Sequence, residues 1–279
     1  MNEGPAELLR IHQRISLDRA TLVLAFSGWM DGGDVSTGTV ERLVDLLEAR
    51  RFAEIDPEPF YVFNAPGPMD VAALFRPRIR IEDGLVANLD LPTNYFYVHE
   101  PANLLLFLGK EPNLRWRTFA DCLLQLTDQV GVKRAIFVGS FGGAVPHTRE
   151  PRLHVTCSEE RLLAAMEQFG IRRTDYEGPG SFASYLLTRA PSHGLEMTSL
   201  VAEIPGYLQG RNPMSIEAVT RRLAKILQLP LELGELRTES TEWELEVSRA
   251  VDKSKELRRT VRQLEEAYDD ELLKEGDEE

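Results

Sequence analysis

Apolar and polar positions follow two different rhythms along this chain. Residues 21–27 (TLVLAFS) form a short apolar run closed by glycines, the pattern of a buried strand. Residues 28–34 are the loop after it. Over 35–50, Val40, Leu43, Leu46 and Leu47 recur at helical spacing, so strand, loop and helix follow in order. Residues 60–63 predict a second strand, and 79–107 several short strand pieces broken at Asp83-Gly84, Pro92 and Pro101. Asn113, preceded by Pro112, is a good N-cap, so a helix is expected from there, with Phe119, Leu123, Leu126 and Val130 on its apolar face. Residues 134–140 predict the next strand, running into a glycine-rich turn at 139–143. Ser158 is read as the cap of a helix reaching Phe169, and Ser181 as the cap of another over 181–188. A strand over 198–204 and a helix over 215–227 complete the series. Strands separated by helices predict an α/β fold with a mostly parallel sheet covered by helices. The reading is one α/β domain over 1–234, elaborated at 79–107.

From residue 235 to 279 the rhythm changes. Trp243, Val247, Ala250, Ser254, Leu257, Val261, Leu264 and Tyr268 fall at alternating spacings of four and three, the a/d seam of a coiled coil, with charged residues between. Two readings fit: a helix folded back on its own body, or a coil between subunits. Either way, one helix over about 241–272 is expected to press this seam on protein, and to fray after Asp269. Trp243, Leu257 and Leu264 are its candidate interface residues.

Composition narrows the function classes. With 279 residues, 43% hydrophobic and 28% charged, the chain can bury a sizeable core and is not mostly disordered. Two cysteines, Cys122 and Cys157, make no disulfide framework and no four-thiolate zinc site. The first ten residues lack the basic and apolar regions of a signal peptide, and no apolar run is long enough to span a bilayer, so a cytoplasmic location is expected. The net charge of −13 argues against a general nucleic-acid or anionic-membrane binder. The charge is uneven: residues 235–279 carry 16 acidic and 8 basic side chains, against 29 and 24 in the other 234. The tail is therefore treated as a separate acidic helical unit.

Two glycine loops are the candidate pocket. The first, Gly28, Trp29, Met30, Asp31, Gly32, Gly33, Asp34, lies between a strand and a helix, where α/β proteins bind ligands. Its exposed N–H groups suit an anion, its carboxylates do not, and Asp34 can instead cap the helix at Val35. The second runs from Gly139 to Arg149, where Ser140, His147, Thr148 and Arg149 supply hydroxyls, an imidazole and a guanidinium. It could bind an oxyanion, with His147 as acid–base and Arg149 as anchor; it could equally be a structural loop whose His147 and Thr148 satisfy buried backbone. The G-x-S-x-G elbow is absent and no third catalytic group is identifiable. Glu177, between Tyr176 and Gly178, is a third candidate. Arg76, Arg78 and Arg80 alternate with Pro77, Ile79 and Ile81 and would share one face of a strand. Arg115 and Arg117 are expected in a first helical turn, which the dipole disfavours, so both are candidate interface residues. The five histidines are scattered, no metal ligand set has the right spacing, and no cofactor is expected.

Several uncommon strings occur in order: Gly28-Trp29-Met30-Asp31-Gly32-Gly33-Asp34, Phe75-Arg76-Pro77, Glu111-Pro112-Asn113-Leu114-Arg115-Trp116-Arg117, Val145-Pro146-His147-Thr148-Arg149, Tyr176-Glu177-Gly178-Pro179 and Ile204-Pro205-Gly206-Tyr207 with Asn212-Pro213. In these the chain resembles the proteasome assembly chaperone family, in its bacterial and archaeal branch related to the second eukaryotic chaperone, and most closely its actinobacterial-type members. The resemblance implies a fold similar to nucleoside phosphorylases and a homo-oligomer, with a trimer as candidate assembly. The family's archaeal members act as protein-binding assembly factors, and the fold similarity to phosphorylases licenses no enzymatic claim. Archaeal relatives dock on the proteasome through a C-terminal hydrophobic–tyrosine–any-residue motif. This sequence ends Gly276-Asp277-Glu278-Glu279 and departs from it, so docking by that route is not expected. The leading expectation is an oligomeric, protein-binding factor of the assembly-chaperone or scaffold type. The alternative is a hydrolase- or phosphorylase-like enzyme, or a small-molecule binder, using the loops at 28–34 and 139–149.

Overall fold

The structure, a computed structural model, describes residues 4–276. Its centre is four adjacent parallel strands: β2 (Ala20–Ser27), β7 (Leu104–Lys110), β8 (Val132–Gly143) and β11 (Glu196–Pro205), in the order β7-β2-β8-β11. Antiparallel pairings extend it on both sides. On the β7 side lie β6 (Tyr95–His99), β3 (Arg50–Ile55) and β1 (Leu9–Ile11); on the β11 side lies β9 (Arg152–Cys157), with β10 (Arg172–Arg173) parallel to it at the edge. The result is a mixed sheet, mostly parallel by paired residues. β4 (Arg78–Glu82) and β5 (Leu85–Asp90) form a separate two-stranded hairpin.

Helices cover both faces. Leu22, Leu24 and Phe26 of β2 join one core under α1 (Pro5–Leu8), α4 (Trp116–Val130) and α6 (Phe182–Arg189). Val23 and Ala25 join the other, under α2 (Val35–Leu46), α5 (Glu160–Glu167) and α7 (Pro213–Leu227). Burial on both faces is why β2 reads as an unbroken apolar run. The first core is rich in phenylalanine: Phe26 lies 5.4 Å from Phe107, 6.2 Å from Phe119 and 5.3 Å from Phe182. The Phe60 ring meets Phe119 edge-on at 4.8 Å.

Several expectations are corrected. Residues 60–63 form no strand; Glu58–Phe60 is a 3-10 turn that inserts the Phe60 ring into the core, and the strand lies earlier, at β3. α2 ends at Leu46 rather than Arg50, since Arg50 and Arg51 pair with β6. Asn113 does not cap α4. Its side chain accepts from Val62 N–H, and the helix starts at Trp116 after Arg115 in a left-handed conformation, which puts Arg115 outside the first turn. Ser158 accepts from Met197 N–H instead of capping α5. β8 does not turn at Gly139 but pairs with β11 as far as Gly143, and Gly142 there faces Gly206 so closely that a Cβ would sit 3.1 Å from its Cα. Ser181 caps α6 through Ser184 N–H as expected.

The C-terminal segment is two helices, α8 (Gly234–Val251) and α9 (Lys255–Gly276), rather than one. The break resets the phase of the seam. Val251 is buried where Ala250 was expected, and Leu257 is 39% exposed, while Val261 and Tyr268 are buried. Trp243 and Leu264 are half-buried. α9 runs past Asp269 to Gly276; residues 277–279, the C-terminal motif position, lie outside the described residues. α3 (Met69–Ala73) precedes the hairpin. Among the described residues, no helix is long and apolar enough to cross a membrane.

Phe119 contacts both the central strands and α6, so Phe119→Ala should destabilise the fold by about 3–5 kcal/mol in a urea titration with unchanged slope. A loss below about 1 kcal/mol would show that the ring cluster is not the packing centre.

Candidate functional site

The first glycine loop is built onto the end of β8. Ser140 N–H donates to Met30 O at 2.8 Å, and its hydroxyl donates to Gly32 O at 2.7 Å. Gly33, at φ +63°, lies against Asn212, where a Cβ would come within 2.9 Å. Asp34 is exposed, left-handed and makes no side-chain cap. Asp31 does the capping: its carboxylate accepts from Thr37 N–H at 3.0 Å and Thr37 Oγ1–H at 2.7 Å. Burial pushes Asp31 up to about 7, against those hydrogen bonds.

Glu111 ties this loop to the head of α6. One carboxylate oxygen accepts from Trp29 N–H at 3.2 Å and the other from Phe182 N–H at 2.7 Å. The helix terminus that might draw an anion is therefore already satisfied by a carboxylate. Between the loop, the end of β8 and residues 174–184 opens a cleft of about 680 Å³. Trp29, Met30, Phe141, Tyr176 and Pro179 give it an apolar rim, and Ser199, Val201, His154 and Thr156 form part of its lining. These last four are cross-strand partners on one face of β9 and β11. The cleft borders a switch point of the sheet through the loop after β2 and the end of β8, and extends from there over β11 and β9. β2 leads outward through α2 to β3, whereas β7 crosses back through α4 to β8, so the crevice between β2 and β8 is a switch point of the sheet.

The pocket candidates divide between two places. Trp29 and Ser140 line the cleft with Gly32, and Trp29 is 63% exposed. Gly28, Asp31, Gly33 and Asp34 belong to the supporting loop, and Glu177 is exposed outside the lining. His147, Thr148 and Arg149 are elsewhere, beneath the C-terminal helices. His147 is buried between Tyr207 OH at 2.7 Å on Nδ1 and Ser248 Oγ at 3.0 Å on Nε2, and burial lowers its pKa. Thr148 donates to Glu265, and Arg149 grips Asp269 through two nitrogens at 2.8 and 2.7 Å. The convergence of Asp31, His147, Arg149 and Glu177 that the alternative enzyme reading requires is therefore absent from the cleft. The Ser140–His147 pairing does not form either, because both side chains have other structural partners.

Arg76 donates to Asn64 and Arg80 pairs with Glu82, both on the exposed arm. Arg115 stands 5.8 Å from the Phe60 ring, and Arg117 is exposed as the second residue of α4, in its first turn. Sequence reasoning missed Glu111, Arg152, His154, Arg172 and Tyr207. The alternation Arg152, His154, Thr156 against Leu153, Val155 was a legible strand signal. Glu111 and Tyr207 stood in the uncommon strings, but nothing local marked their roles, since their partners lie 71 and 60 residues away. Among the described residues, no group of His, Cys, Asp and Glu could hold a metal ion.

Comparison with known proteins places this geometry in a family. The PAC2 family model matches residues 25–251. A Mycobacterium tuberculosis proteasome-assembly chaperone homologue is 30% identical at a TM-score of 0.73, covering 86% of this chain and 99% of its own. A PAC2 family protein of Streptomyces avermitilis is 28% identical at a TM-score of 0.72, with 87% and 99% covered. Pyrococcus furiosus PbaB, an archaeal proteasome activator, shares the fold at 20% identity and a TM-score of 0.64, with 88% and 98% covered. No curated protein matches the chain significantly.

The Asp31 environment gives a pH test. Its folded-state pKa lies above the unfolded value, so its contribution to stability is fully present near pH 4 and is lost as pH rises through about 7. Asp31→Asn keeps an oxygen for Thr37 N–H and removes the charge. The stability of wild type minus Asp31→Asn should fall between pH 5 and 7 by up to about 1.4 kcal/mol per unit. A difference independent of pH would show that the carboxyl is not buried against ionisation.

Proposed function

The chain belongs to the PAC2 family, and on that premise we propose that it is an oligomeric, protein-binding factor of the assembly-chaperone or scaffold type, working in the cytoplasm. The names of its relatives support a chaperone-type role: one is a proteasome-assembly chaperone homologue, another an archaeal proteasome activator. The proteasome is accordingly the proposed partner class, and a second copy of the chain the other partner. The body, residues 1–234, is the proposed assembling unit, with 235–279 an acidic accessory to it.

One observation carries this reading. Residues 69–91 form an arm that leaves large apolar side chains in water. Met69 is 88% exposed and Leu74 80%, and every residue of β4 and β5 is exposed. Ile79 pairs with Leu89 and Ile81 with Val86, so one face of the hairpin is aliphatic. The opposite face carries Arg78, Arg80 and Glu82. An exposed aliphatic face of this kind is the signature of an interaction surface. Arg76 precedes β4 and so does not share a strand face with Arg78 and Arg80, which form the arm's charged side opposite the aliphatic one.

A second reading, a small-molecule binder, is favoured by the cleft at the switch point of the sheet. A hydrolase gains less support, because among the described residues the serine hydroxyls of the cleft at 140 and 181 bond elsewhere and not to its imidazole, His154.

Sedimentation velocity at tens of micromolar should show the full chain self-associated, and Ile79→Lys with Val86→Lys should shift it to monomer while keeping its thermal midpoint. Capture from a native lysate should lose the same specific partners in that variant. A monomeric wild type whose partner set is unchanged by the substitutions would sink the proposal.

A further inference from the structure

α9 is held to the body mainly by charge and one aromatic ring. Asp269 is gripped bidentately by Arg149. Glu271 is clamped on both oxygens, by Arg152 on one and by Arg172 at 2.7 Å on the other. Glu265 accepts from Thr148. The Tyr268 ring lies 4.5 Å from the Arg152 guanidinium, and its hydroxyl donates to Glu150 O at 3.1 Å. With buried Val261, these anchors share one half of the helix circumference.

The groove is braced independently of α9. Arg152 stands on β9 opposite Glu203 of β11, 3.6 Å away, and Arg172 stands on β10 in register with His154. α9 by contrast is loosely secured. Asp269 and Glu271 are 49% and 45% exposed, so their ion pairs are screened by salt and individually weak. The helix also breaks at residues 252–254, between α8 and α9.

We infer that the groove of Arg149, Arg152 and Arg172 is a docking surface for an acidic amphipathic helix of a partner protein, spaced Glu-x-x-Tyr-Asp-x-Glu, with α9 as its resident intramolecular competitor. Charge complementarity selects this occupant: three guanidiniums face two carboxylates that flank one aromatic ring on the same half of a helix. The glutamates at 150 and 203 beside the groove disfavour a continuous phosphate backbone. The inference deepens the protein-binding reading by naming the partner's chemistry, and its test reads the groove without the apolar arm.

The test uses the full chain with Asp269→Lys and Glu271→Lys, whose own tail lacks its anchors. Two fluorescein-labelled peptides serve as probes. One is residues 255–274; the other keeps only Val261, Glu265, Tyr268, Asp269 and Glu271 on an alanine–lysine helix. By anisotropy the variant should bind both within about threefold, and wild type about tenfold more weakly, because its tail competes at high effective concentration. Binding should weaken at least about fivefold between ~50 and ~300 mM NaCl, and adding Arg149→Glu and Arg172→Glu should abolish it. Equal binding to wild type and variant overturns the inference, as does no binding by a variant with wild-type thermal midpoint. Binding of the native peptide alone overturns it in favour of tail exchange between copies. Should the variant not fold, hydrogen exchange on wild type decides: excess anchor peptide must speed exchange over residues 255–274, and unchanged exchange overturns the inference.

Discussion

Four adjacent parallel strands must be kept from water on both faces, and the rest of the molecule follows from that. β2 turns Leu22, Leu24 and Phe26 to one side and Val23 and Ala25 to the other, so neither side can be left bare. Two helical layers are the solution, each closing one core. Covering both faces also sets the crossovers: α2 carries the chain outward on one face and α4 returns it on the other. That reversal leaves a crevice between β2 and β8, where two glycine segments meet through Ser140, Met30 and Gly32. The cleft is thus a consequence of how the sheet is covered, with Glu111 and Asp31 fixing its walls.

Charge governs the periphery. The acidic C-terminal helices would repel one another if gathered in a bundle, yet each finds arginines on the body. Arg42 meets Glu239, Arg149 meets Asp269, and Arg152 and Arg172 share Glu271. His147 sits beneath this layer with both ring nitrogens satisfied, which is why an imidazole that looks catalytic in the sequence is a structural post here. A layer held by half-exposed ion pairs opens more readily than one held by an apolar seam. The arm at residues 69–91 behaves in the opposite way: its exposed isoleucines, leucines and valines are a surface of the kind that other proteins cover. The molecule therefore combines a rigid centre with two peripheral elements of different chemistry, one apolar and one ionic.

Local pattern was enough for what depends on near neighbours. The apolar run of β2, the four-three-four face of α4, the Ser181 cap and the hairpin broken at Asp83-Gly84 all rest on residues within a few positions of one another, so they could be read directly. The heptad tail was legible as helix for the same reason, and the ordered strings around the glycine loops pointed to the family. Position in space depends on distant partners, and there the reading failed. Asn113 looked like a cap, but Val62 claims its side chain. Asp34 looked like a cap, but Asp31 reaches Thr37 first. His147 and Arg149 belong with residues 101 and 120 positions away on the C-terminal helices, not with the glycine loops they follow. The sequence by itself determined the alternation of strand and helix, because that alternation is a local periodicity of burial. Only the tertiary structure decided which polar groups line the cleft and which anchor the tail, because a hydrogen bond or ion pair between segments a hundred residues apart leaves no mark in either segment alone.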